Sequence, residues 1–175
     1  MKTELRFLLV PAALTITALL AACSPQAASE PPTTSTPSAQ TEAASPSVHP
    51  VSGLDVIPVT ISVESGDQII AAEVASSAQE QARGLMFRTE MGADEGMIFP
   101  YDDNPHVLSF WMKNTVIPLD IIFIGADRRV INVVANAVPY SLEPVTAEGI
   151  GIAVLELNAG RATELGIGPG TRIDW

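Results

Sequence analysis

A regular alternation of apolar and polar positions starts at Val56. Ile57, Val59, Ile61 and Val63 alternate with Pro58, Thr60, Ser62 and Glu64, which is the period of two of a strand with one buried face. Gly66-Asp67 makes a turn, and Gln68 to Val74 returns as a hairpin partner. The pattern then changes. Ser76 with Gln79, or Ser77 with Glu80, is an N-terminal capping pair, and Gly84 can close the turn, so Ala75 to Gly84 predicts one short helix. Leu85 to Glu95 reads as loop and Met97 to Tyr101 as a short strand. Asp102-Asp103-Asn104-Pro105 is a turn, and His106 to Thr115 reads as another strand. Pro118 breaks it before Leu119 to Gly125, and Ala126-Asp127-Arg128 turns the chain into Arg129 to Val138. After a loop from Pro139 to Gly149 come a strand from Gly151 to Leu157, a short helix from Ala159 to Leu165, and a last strand from Thr171 to Trp175. Many short strands with only two short helices predict a mainly β domain, an antiparallel sandwich or partly open barrel. A βαβ arrangement calls for longer helices between the strands.

The chain before Val56 has another character. Lys2 and Arg6 precede an apolar run from Leu8 to Leu20, shorter than the roughly 20 residues needed to cross a bilayer, so residues 1–22 read as a signal peptide that is removed. Leu20-Ala21-Ala22-Cys23 resembles a bacterial lipobox, and Cys23 is the only cysteine in the chain. Lipid on Cys23 is the expected membrane anchor. Ser24 follows where an aspartate would signal retention at an inner membrane, so the expected address is the periplasmic face of an outer membrane. Residues 23–55 are rich in Pro, Ser, Thr, Ala and Gln and lack the apolar surface for a core. They read as a disordered tether in which His49 is solvated, leaving residues 56–175 as a single domain.

Charge narrows the partners. The net charge is −11, and setting aside Glu4, Glu30, Glu42, Asp55, Lys2 and Arg6 leaves sixteen acids against seven bases. That balance opposes nucleic acid and anionic lipid headgroups as partners.

Candidate chemistry concentrates in Ser109-Phe110-Trp111-Met112-Lys113-Asn114-Thr115-Val116-Ile117-Pro118-Leu119-Asp120. On the next strand Asp120 shares a face with Ile122 and Ile124, where an unpaired carboxylate is costly, so Lys113 or Arg88 is its natural counter-ion. Trp111 offers a flat face for a sugar or another ring. Arg83, Arg88, Trp111, Lys113, Asn114 and Asp120 form the candidate ligand site. Catalytic constellations are sparse. His106 is the only histidine after residue 55, there is no G-x-S-x-G, and Cys23 is committed to lipid. Asp120 with Glu95 or Glu156 offers paired carboxylates for hydrolysis of a glycosidic bond. Met86, Met91, Met97 and Met112 with His106 offer soft ligands for cuprous copper, although methionines commonly fill cores. No metal or other cofactor is expected in the first reading.

Four blocks then carry a resemblance. Arg83-Gly84-Leu85-Met86-Phe87-Arg88, Glu95-Gly96-Met97-Ile98-Phe99-Pro100, Phe110 to Thr115 with Ile117-Pro118-Leu119-Asp120, and Val154-Leu155-Glu156-Leu157 with Ala159-Gly160 resemble the successive signatures of the bacterial and archaeal family called domain of unknown function 192. The resemblance implies a mainly β, jelly-roll-like domain, often exported or lipid-anchored, with no established reaction, substrate, cofactor or catalytic residue. Ala147 to Gly151 departs from the polar, proline-containing turn that it leads one to expect. The resulting expectation is a lipid-anchored envelope protein, a non-enzymatic binding or accessory domain with a glycan or protein partner. A carbohydrate hydrolase and a copper binder are the alternatives.

Overall fold

The computed structural model describes residues 47–175. The expected signal peptide, the lipidation site at Cys23 and the tether before residue 47 lie outside the described residues. Ten strands and two helices follow in order: β1 (Ser47–Val48), β2 (Asp55–Val63), β3 (Gly66–Val74), α1 (Ala78–Arg83), β4 (Glu95–Pro100), β5 (Ser109–Phe110), β6 (Leu119–Gly125), β7 (Val130–Ala137), β8 (Val145–Thr146), β9 (Gly151–Asn158), α2 (Arg161–Leu165) and β10 (Arg172–Asp174). The domain is mainly β with two short helices, as the pattern predicts.

One sheet runs in the order β1-β2-β3-β4-β9-β6-β7, with β10 also paired to β2, while β5 and β8 form a separate two-stranded ladder. β10 curls the large sheet toward itself. Ile173 stands opposite Ile61 of β2, and the Ile173 N–H donates to the Arg128 carbonyl at 2.9 Å while the Val130 N–H donates to that of Thr171 at 2.9 Å. A single bridge between Arg129 and Arg172 joins this side, so the barrel stays partly open.

The inner face of the curl carries Val59, Ile61, Ile70, Ala72, Ile98, Ile122, Ile124, Leu155, Leu157 and Ile173, closed at one end by Ala162 and Ile167. The outer face of the central strands carries Met97, Phe99, Ile121, Phe123 and Val154, and Leu85, Leu108, Met112 and Ala147 cover it. All of β6 is buried, and so is β9 from Gly151 to Leu157. Burial on both faces explains why these two strands are continuous apolar runs rather than alternations. Each fully buried Ile, Leu or Phe contributes about 1.5–3 kcal/mol relative to its exposed state, so this doubly covered centre is the anchor of the fold.

Three expectations are corrected. The sheet is mixed, because β3 and β4 run parallel, with Ala71 opposite Glu95 and Val74 opposite Ile98. A long helix is unnecessary for this: the whole segment from Ala75 to Asp94, α1 and the loop after it, makes the crossover of a dozen or more residues that a parallel pair requires. The expected strand from His106 to Thr115 is a strand only at Ser109–Phe110. Asn114 adopts φ 56° and the Thr115 N–H donates to the Met112 carbonyl at 3.1 Å, so Lys113 and Asn114 lie in a turn instead of a strand. Strand pairing among the described residues also begins before residue 56. Val48 pairs with Asp55, the His49 N–H donates to the Leu54 carbonyl at 2.8 Å, and the His49 side chain is 15% exposed rather than solvated.

Candidate ligand site around the 83–88 turn

The site begins with a capped helix. Ser77 Oγ accepts the Glu80 N–H at 3.3 Å, and Glu80 Oε2 accepts the Ser77 N–H at 2.7 Å and that of Ser76 at 3.0 Å. These hydrogen bonds, first that from the Ser77 backbone, hold the Glu80 carboxyl below its ordinary pKa. α1 ends at Gly84, where φ is 47° and an added Cβ would stand 3.3 Å from the Phe99 ring. The chain therefore reverses closely over Phe99, and Leu85 drops into the outer core.

Two residues later the backbone is again left-handed. Phe87 has φ 65°, and its N–H donates to the Asn114 carbonyl at 2.9 Å. Asn114, itself left-handed, sets its Nδ2 3.8 Å from Met86 Sδ. A left-handed non-glycine residue costs about 1–2 kcal/mol, and such residues concentrate where function requires them. Here the bond between the two turns presents a phenyl ring that is 64% exposed. Arg88 points inward: Nη2 lies 2.8 Å from Glu73 Oε1 and donates to Oε2 at 3.0 Å. Glu73 also accepts from Ser52 Oγ, and His49 Nδ1 is 3.6 Å away.

A groove of about 780 Å³ opens between the His49–Leu54 loop, α1 and the Met86–Gly92 loop, and Arg83, Phe87 and Arg88 line it. On the other side of Arg83, Gly84 and Met86 lies a smaller hollow of about 270 Å³. Phe99, Tyr101, Phe110, Trp111, Thr115 and Glu156 line that one. Its rings meet edge to face: Phe99 and Phe110 are 5.0 Å apart between centroids, and Tyr101 and Phe110 are 6.4 Å apart. Glu156 is 4% exposed, and burial pushes its carboxyl up to about 8. Burial, with the nearby Glu156 charge as a smaller cause, also raises the Tyr101 hydroxyl.

Five of the six expected site residues thus gather around the two linked turns. Arg83 and Arg88 line the groove, Trp111 edges the hollow at 50% exposure, Lys113 Nζ stands 5.1 Å from the Trp111 ring centroid, and Asn114 holds Phe87. Asp120 is elsewhere, and its expected pairing with Lys113 or Arg88 is absent. It is fully buried on the inner face. Oδ1 accepts the Asn136 N–H at 2.9 Å and Oδ2 accepts the Ala162 N–H at 2.8 Å. The register of β6 slips against β7 between Leu119 and Ile121, and α2 has no side-chain cap. Both features leave backbone donors that a carboxylate satisfies, so Asp120 needs no cation.

The proposed carboxylate pairs do not form either. Asp120 stands opposite Leu157 and Glu156 opposite Ile121, so the two side chains point to opposite sides of the sheet. Glu95 Oε2 accepts the Gly92 N–H at 2.7 Å. Of the methionines, Met97 and Met112 are buried in the outer core, and His106 Nδ1 is 2.6 Å from the Asn104 carbonyl oxygen. Among the described residues no group of three or more His, Cys, Asp or Glu is placed to hold a metal ion. Glu73, Phe87 and Tyr101 were missed as site residues, and Glu156 was weighed only as a partner of Asp120. The signal for Glu73 and Glu156 is a single acid inside an apolar run, in Ala71-Ala72-Glu73-Val74 and Val154-Leu155-Glu156-Leu157.

Several solved chains are similar, among them these two. One is a protein of unknown function from Novosphingobium aromaticivorans DSM 12444, 57% identical, with a TM-score of 0.73 over 77% of this chain and 95% of the other. The second is a protein from Sinorhizobium meliloti 1021 designated a candidate transcription regulator, 34% identical, with a TM-score of 0.66 over 69% of this chain and 94% of the other. No curated protein matches. Residues 60–175 match the sequence model of domain of unknown function 192, described as "Uncharacterized ACR", and the chain belongs to that family.

Proposed function

We propose that this chain is a lipid-anchored cell-envelope protein whose domain binds a small polar ligand of glycan type in the groove beside Arg83, Phe87 and Arg88, without catalysing a reaction on it. The observation that carries the reading is the exposed ring of Phe87, whose backbone is held left-handed while its N–H donates to the Asn114 carbonyl. A flat apolar face beside a fixed guanidinium suits a sugar ring, which offers C–H groups for the phenyl and hydroxyls for the arginine. Asp120, the acid on which a hydrolase reading leaned, already serves two backbone donors. The Sinorhizobium relative's designation invites a nucleic-acid partner, and a net charge of −11 opposes one.

The test is a thermal-shift titration of the purified chain with peptidoglycan fragments and envelope glycans. A ligand at 100 times its Kd adds about 2.7 kcal/mol of stability, and Arg83→Ala should remove that shift. A melting temperature unmoved across the panel rejects the groove as a glycan site. The anchor is tested by metabolic labelling with a palmitate analogue, which should mark the wild type and not Cys23→Ala.

A further inference from the structure

The smaller hollow holds a carboxyl without a partner. Among the described residues no hydrogen bond reaches the Glu156 carboxyl, its oxygens touch the open hollow rather than being sealed in the core, and burial of the residue is the cause of its displaced titration. The groups around it explain why. In register, Met97 of β4 and Ile121 of β6 flank Glu156, and neither carries charge. Glu73, two strands away on the same face, is held by Arg88. Arg83 lines the hollow as an exposed residue on the 83–88 turn, and Lys113 stands over the Trp111 ring. Tyr101 is the remaining titratable group in the lining. A buried carboxyl with neither donor nor counter-ion is costly, and a leucine or methionine would fill the place without that cost. Aromatic side chains, Phe99, Tyr101, Phe110 and Trp111, make up much of the surrounding wall, and a ring attracts a cation that lies over its face.

We propose that this hollow binds a small organic cation, with a primary ammonium group donating to the Glu156 carboxylate and the adjoining carbons packed against Phe99, Tyr101 and Phe110. The volume of about 270 Å³ is that of roughly nine waters at about 30 Å³ each, which limits the ligand to a few carbons around one ammonium. Without ligand, Glu156 is protonated at neutral pH; on binding, its proton leaves to solvent and the carboxylate forms a charge-assisted bond to the ammonium. The hollow shares Arg83, Gly84 and Met86 with the groove, but this inference stands on Glu156 and is independent of the glycan reading.

The experiment is calorimetric titration of the full chain, in non-ionic detergent, with propylammonium chloride at pH 6, 7 and 8, and with propionamide as the neutral probe. Because a group titrating near 8 goes from about 1% to half ionised between pH 6 and pH 8, affinity for propylammonium should rise roughly fiftyfold over that range. Glu156→Gln should abolish binding, with circular dichroism and melting showing that the variant is folded. Carboxyl carbon NMR should show the titration midpoint of Glu156 falling when the probe is present. No heat from propylammonium at any pH, undiminished binding by Glu156→Gln, or propionamide binding as tightly with no pH dependence would each overturn the proposal.

Discussion

Asp120 on β6 stands opposite Leu157, and Glu156 on β9 stands opposite Ile121, so the two carboxyls are neighbours along one ladder that face opposite sides of it. Both are buried. Asp120 accepts two backbone N–H groups in the inner core, whereas Glu156 lines a hollow on the outer face with no donor. Burial alone therefore does not mark a functional acid; what marks it is burial with hydrogen-bonding capacity left over. The residue that looked most like a site from its sequence is part of the frame, and its neighbour carries the unused chemistry.

The comparison can be broken in four places. The largest effect is the pH dependence of stability. The folded Glu156 titrates near 8 against an ordinary value of 4.5, so between those values the folded state keeps a proton that the unfolded state has released. Its stabilising contribution is complete below about pH 4.5 and is lost as pH rises to about 8, on the order of 5 kcal/mol in all. Urea midpoints from pH 5 to 8.5 should fall more steeply in the wild type than in Glu156→Gln. Parallel curves would mean that Glu156 is satisfied after all. Next, Asp120→Ala strands two backbone donors and should cost about 4 kcal/mol in urea unfolding at pH 7; a loss under about 1 kcal/mol would strip Asp120 of its structural role. Arg88→Ala leaves Glu73 buried without its cation and should cost about 3 kcal/mol, partly restored by adding Glu73→Gln. The smallest effect has the opposite sign. Phe87→Gly relieves a left-handed phenylalanine that buries little, and should raise stability by about 1 kcal/mol while weakening glycan binding. A destabilised Phe87→Gly would show the ring to be packed rather than presented.

The sequence was legible where one physical signal dominates. Alternation from Ile57 to Val63 located β2, and the Ser77 and Glu80 capping pair located α1. It was misleading where local pattern and tertiary demand part. His106 to Thr115 reads as a strand between the turn before it and Pro118, yet Asn114 turns the chain to reach Phe87, a contact between residues far apart in sequence. β1 is too short to have a period, and only its pairing with β2 reveals it. The parallel β3–β4 pair depends on where the chain returns after α1, which no local spacing records. Arg83, Arg88, Trp111, Lys113 and Asn114 were recognisable as polar or aromatic oddities among apolar runs. Asp120 looked the same, because the backbone donors that occupy it belong to Asn136 and Ala162.

β10 sets the timing of the fold. Its three residues, Arg172–Asp174, pair with Thr60 to Ser62 of β2 near the start of the described residues, and Arg128 stacks 3.6 Å over the Trp175 ring beside them. A ribosome delivers β2 more than a hundred residues before β10, so the inner core stays open along one edge until β10 emerges. This long-range closure raises contact order and slows folding. Until β10 is made, the β2 edge where it docks remains without that partner, and a chain stalled short of Arg172 presents a strand edge to its neighbours.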